Sequence, residues 1–85
     1  MIYEIVYTSE ATKQIRKLPP KDAKRIVGII KSFESNPRPF GYKKLVGWSD
    51  FFRYRVGDYR IIYKIIDSVL TVTVVEVKRR NESTY

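Results

Sequence analysis

Three arginines flank a two-residue turn in the stretch Phe52-Arg53-Tyr54-Arg55-Val56-Gly57-Asp58-Tyr59-Arg60-Ile61-Ile62-Tyr63. Gly57-Asp58 reads as a type II′ hairpin turn, with glycine at the first central position. That turn sets a register with Val56 opposite Tyr59, Arg55 opposite Arg60 and Arg53 opposite Ile62. Side chains alternate along a strand, so Arg53, Arg55, Arg60 and Ile62 share one face. Like charges packed across a hairpin cost stability, and their concentration here calls for an anionic ligand. A guanidinium is planar, always charged and forked to match phosphate oxygens. Pairing with Glu4, Asp58 or Glu76 accounts for one arginine, but carboxylates are too scarce to account for three or four. Lys43, Lys44 and Arg79 are expected near the rim of this phosphate cradle.

The opposite face of the hairpin carries Phe52, Tyr54, Val56, Tyr59, Ile61 and Tyr63, and must be covered. Upstream, Ile2 to Tyr7 reads as a short strand. Thr8-Ser9 supplies a helix N-cap, and Glu10 sits favourably in the first turn. Ala11, Ile15 and Leu18 recur at helical spacing until Pro19-Pro20 ends the helix. Pro20 opens a second helix, in which Ala23, Ile26, Val27, Ile30 and Phe33 form an apolar stripe and Asn36-Pro37 marks the end. The basic residues on the outer side of this helical hairpin read mainly as a solvated face. Residues 36–50, rich in Pro and Gly, read as a connecting loop. Strands are expected at Phe51–Val56, Tyr59–Ile66 and Leu70–Val77, the last two joined by a turn near Asp67-Ser68. The expected fold class is α+β. It is a small single domain over residues 1–85 in the order β-α-α-β-β-β, with a helical hairpin packed on one face of a mostly antiparallel sheet.

Composition narrows the chemistry. With 85 residues there is room for one core, and 44% apolar residues suit a folded chain. Cysteine and histidine are both absent. That removes disulfides, thiolate zinc sites, the commonest metal ligand and the usual acid–base residue. No metal or cofactor is called for. The net charge of +8 and pI near 9.9 predict attraction to polyanions. No apolar run has the length of a membrane helix, and the first residues lack the pattern of a secretory signal. A cytoplasmic location is expected.

The order strand, helical hairpin, three strands, with Asn36-Pro37-Arg38-Pro39-Phe40-Gly41-Tyr42-Lys43-Lys44-Leu45-Val46-Gly47 ahead of the arginine hairpin, resembles the RelE/ParE superfamily of toxin–antitoxin toxins. Arg55-Val56-Gly57-Asp58-Tyr59-Arg60-Ile61-Ile62-Tyr63 is the most specific part of the match. The basic C-terminal stretch ending in tyrosine supports it. On the RelE side the resemblance implies a ribosome-dependent endoribonuclease that cuts mRNA in the decoding site. It would be held inactive by a cognate antitoxin in a hetero-oligomeric complex. On the ParE side it implies a poison of DNA gyrase. A non-catalytic basic module that binds antitoxin or RNA is the third reading.

The nuclease branch carries two basic residues, one apart, before the turn, which Arg53 and Arg55 match. Its arginine after the turn, following an aromatic residue, corresponds to Arg60 after Tyr59. Its basic residue at the end of the last strand corresponds best to Arg79, with Lys78 and Arg80 as rivals, and its functional tyrosine corresponds to Tyr85. This set favours the ribonuclease reading, with Arg53, Arg55, Arg60, Arg79 and Tyr85 as catalytic residues. Lys43, Lys44, Lys78 and Arg80 are then contacts to RNA or the ribosome. Cleavage through the 2′-hydroxyl needs a proton removed, a phosphorane stabilised and a leaving 5′-oxygen protonated. Arginine serves the second need well and the first poorly, since its pKa lies above about 12. Tyr85, with its hydroxyl influenced by nearby guanidinium groups, is the expected partner of the 2′-hydroxyl. Arg79 is expected to neutralise the leaving group, and Lys43, Lys44, Lys78 and Glu82 are further candidates for proton transfer.

Overall fold

The computed structural model describes residues 2–79. Strand β1 (Glu4–Tyr7) leads into helices α1 (Ser9–Arg16) and α2 (Pro20–Ser32). Strands β2 (Lys43–Lys44), β3 (Phe51–Val56), β4 (Tyr59–Ile66) and β5 (Thr71–Arg79) follow. They form one five-stranded sheet in the order β1-β5-β4-β3-β2. Only β1 and β5 run parallel, and the remaining pairs are antiparallel.

Local signals account for the helices. The Thr8 hydroxyl accepts a hydrogen bond from the Ala11 N–H at 3.0 Å and caps α1. Pro20 occupies the first turn of α2, where no N–H is needed. Ala11, Ile26, Ile30 and Phe33 are fully buried against the sheet. Val27 is exposed, contrary to the expected stripe, and Ile29 packs on the core instead. At 3.6 residues per turn Ile29 lies closer than Val27 to the midline through Ile26, Ile30 and Phe33. Phe33 stacks on Tyr63 with ring centroids 4.5 Å apart and meets Tyr54 edge-on at 6.0 Å. The Tyr63 hydroxyl donates to the Pro37 carbonyl at 2.8 Å, and burial raises its pKa well above the usual phenol range.

The arginine hairpin has the expected register, with Arg55 opposite Arg60 and Arg53 opposite Ile62. Gly57 carries φ 58 while Asp58 does not adopt positive φ, as a type II′ turn requires. Phe52, Val56, Tyr59, Ile61 and Tyr63 are buried on the helix side, with Tyr54 half-buried beside them.

Two features depart from the sequence reading. The loop over residues 36–50 contains β2, whose Lys43 and Lys44 pair with Arg53 and Phe52. The sheet therefore gains an edge strand. The second feature is a bulge in β5. Ile62 pairs with Glu76 and Tyr63 with Val74, which leaves Val75 as the extra residue. Val72 and Val74 face the helices before the bulge, and Val77 does so after it. Strict alternation would have aimed Lys78 at the helices and Arg79 away from them.

Thr8 holds that bulge. Its hydroxyl donates to the Val75 carbonyl at 2.8 Å, and its N–H donates to the Val74 carbonyl at 3.0 Å. Thr8→Ala removes both the helix cap and the partner of a bulge carbonyl. The expected loss is about 1–2 kcal/mol. Thermal unfolding followed by circular dichroism should then show a Tm lower by at least about 4 °C.

Candidate nucleic-acid interface

The sheet face turned away from the helices gathers the basic residues into two cross-strand rows. One row is Lys43, Arg53, Ile62 and Glu76, and the next is Arg55, Arg60 and Lys78. Directly opposite side chains on neighbouring strands start about 5 Å apart. Two unit charges at that distance in water repel by about 0.8 kcal/mol before salt screening. The all-cationic row contains two such neighbours, a mutual repulsion on the order of 1–2 kcal/mol before any counter-charge is counted. The apolar underside of the same strands offsets this easily, since burying one Ile or Phe side chain contributes about 1.5–3 kcal/mol.

Glu76 lies 3.3 Å from the Lys78 ammonium. Among the described residues Arg53 and Arg55 make no ion pair. Asp67 is engaged at the far end of β4, where Arg38 contacts both its oxygens at 2.8 and 3.2 Å and the Tyr3 hydroxyl donates to it at 2.7 Å. Arg38, and then Tyr3, hold the Asp67 carboxyl below its ordinary pKa, while the Asp67 carboxylate raises that of Tyr3. The sign follows from the lowered value. This contact contributes stability above the ordinary carboxylate range and loses it as pH falls through the lowered pKa. Arg38 also lies 5.7 Å over the Phe52 ring and so anchors the start of the segment that carries β2.

Two adjoining depressions share Arg53 and Arg60. The first, about 200 Å³, is completed by Gly41, Lys43 and Arg55. The second, about 460 Å³, is walled by Leu45, Val46, Trp48 and Ile62, with Glu76 and Lys78 at its edge. Convergent guanidinium and ammonium groups suit the first to a phosphate. Among the described residues no group of His, Cys, Asp or Glu could hold a metal ion. No helix among them is long and apolar enough to cross a membrane.

Arg53, Arg55, Arg60, Lys43 and Lys78 thus come together on one face. Lys44 does not join them, since it is opposite Phe52 and so belongs to the helix side of the sheet. Arg79 does not join them either. The Val75 bulge turns it to the helix side, opposite Tyr59, with its guanidinium 5.4 Å over the Tyr59 ring. One Arg79 N–H donates to the Tyr59 hydroxyl at 3.1 Å, and that hydroxyl donates to Asp22 of α2 at 2.7 Å. The place beside Arg60 belongs to Lys78. Arg80, Glu82 and Tyr85 lie outside the described residues.

A helical hairpin over a five-stranded sheet is the fold of the RelE toxins. The isolated RelE toxin of Escherichia coli matches with a TM-score of 0.79 at 25% identity, over 91% of this chain and 83% of that one. The RelE–RelB complex of Pyrococcus horikoshii gives 0.84 at 27% identity, over 98% of this chain and 100% of its counterpart. A Methanocaldococcus jannaschii protein named as a candidate toxin, RelE1, is 25% identical over 94% of this chain and 92% of its own length. The family model for the ParE toxin of the type II toxin–antitoxin system parDE matches residues 5–84. The chain belongs to that family of toxins, and its structural likeness is to the RelE members.

Proposed function

We propose that this chain is a ribosome-dependent endoribonuclease that cleaves translated mRNA in the A site through the RNA 2′-hydroxyl, and that a cognate antitoxin neutralises it. The observation that carries this reading is the row Arg55, Arg60 and Lys78 beside Lys43 and Arg53, on the face that the helices leave open. In the reaction, the 2′-oxygen attacks the adjacent phosphorus, a phosphorane forms, and the 5′-oxygen leaves. Arg53, Arg55 and Arg60 hold the phosphate and stabilise the charge that grows on it. Lys78 replaces Arg79 as the residue beside the leaving group. Proton transfer falls to Tyr85, together with the Glu76–Lys78 pair. The ribosome supplies alignment of the message, which lowers the demand for a strong base.

The antitoxin partner is supported by the complexes in which related toxins occur, among them RelE–RelB of Pyrococcus horikoshii and RelBE2 of Mycobacterium tuberculosis. The ParE name of the matching family model supports a second reading, inhibition of DNA gyrase. Toeprinting of a translated message after addition of the purified chain separates the two. Cleavage within codons in the ribosomal A site is expected. An intact message together with stabilised gyrase–DNA cleavage complexes would place the chain on the gyrase side, and neither effect would leave a non-catalytic binding module.

A further inference from the structure

We propose that Trp48 is a stacking platform for an RNA base next to the phosphate held by Arg53 and Arg60, a role that rests on the nuclease reading above. Trp48 is 62% exposed, so it is not a core residue. It stands at the tip of the β2–β3 connection, and the surrounding backbone fixes it there. The Leu45 N–H donates to the Phe51 carbonyl at 2.9 Å and closes the connection. Gly47 at φ 80 and a Trp48 N–H bond to the Leu45 carbonyl at 3.4 Å form a tight turn beneath it. From below, Phe51 meets the indole edge-on at 5.7 Å, and Phe51 is itself covered by the Lys64 ammonium 5.4 Å from its centroid.

This aromatic ring borders an apolar wall with Val46, which is 96% exposed, and that wall opens onto the two arginines shared with the cationic depression. An apolar surface continuous with a phosphate-binding charge cluster matches the two halves of a single-stranded nucleotide. Phosphate lies on guanidinium, and the unstacked base lies on an aromatic face.

Trp48 is the chain's one tryptophan, so its fluorescence reports on the site without labelling. A short single-stranded RNA oligonucleotide titrated into the full chain at low salt should quench it. An abasic oligonucleotide of equal length should not. In single-turnover cleavage of ribosome-bound mRNA, Trp48→Ala should be slower by about tenfold or more, the scale of a lost base–aromatic stack, and Trp48→Phe should recover most of the rate. Equal quenching by both oligonucleotides, or by neither, overturns the proposal. So does a Trp48→Ala chain that cleaves at the wild-type rate, or one that loses only antitoxin affinity, which would make the wall a protein-binding lip. If the wild-type chain does not cleave at all, the nuclease reading fails, and the fluorescence comparison alone decides the stacking.

Discussion

Replacing Arg60 with alanine is expected to slow single-turnover cleavage of ribosome-bound mRNA by about 100-fold or more, the scale of losing one charge-stabilising donor. Arg60 sits three residues past Gly57, as the second residue of β4 and paired on both sides, so strand geometry fixes where its guanidinium starts. Arg55 and Lys78 flank it in the all-cationic row, and both depressions on that face include it. The variant should still fold, since the core lies on the other face of these strands. Antitoxin binding should stay largely intact. Arg60→Lys should recover only part of the rate, because lysine keeps the charge and loses the fork. If Arg60→Ala lowers the Tm and leaves cleavage near the wild-type rate, the arginine is part of the scaffold and the basic face is not the reaction site.

Phe33→Ala should be the most damaging substitution for the fold. Phe33 is fully buried where α2 ends, stacked on Tyr63 and edge-on to Tyr54. Truncating a buried phenylalanine costs about 3–5 kcal/mol through lost transfer free energy and the cavity left behind. A domain of this size has on the order of 4–13 kcal/mol to lose. Denaturant titration should therefore show a midpoint far below the parent's, and the Tm should fall by more than about 10 °C. Phe33→Leu, which keeps most of the volume, should cost clearly less. A Phe33→Ala chain with an unchanged midpoint would mean that the contact between the helix and the sheet is not what stabilises this end of the molecule.

The arginine hairpin was legible because its determinants are local. Gly57-Asp58 sets the turn, and alternation then assigns every side chain from Phe51 to Tyr63 to a face. The helical hairpin was legible for the same reason, through Thr8, the paired prolines and the spacing of Ile26, Ile30 and Phe33. What escaped the reading has remote causes. Lys43-Lys44 has no intrinsic preference for a strand and becomes one only because β3 offers an edge beside it. The Val75 bulge is marked only by a change of phase, since Val72 and Val74 alternate while strict alternation would turn Glu76 rather than Val77 to the core. The Val75 carbonyl is held by Thr8, from the other end of the chain. That single inserted residue exchanged Arg79 for Lys78 on the basic face.

The strand order also bears on how the molecule comes into being. β5, the last strand to be synthesised among those described, does not lie at an edge but between β1 and β4. Until it arrives, β1 has no neighbour, α1 has no bulge to cap, and the row through Arg60 lacks Lys78. Native contacts therefore join the two ends of the described chain, a pattern of long sequence separation that slows folding. The basic row is thus completed by the same strand pairing that closes the sheet, so the face and the fold form together.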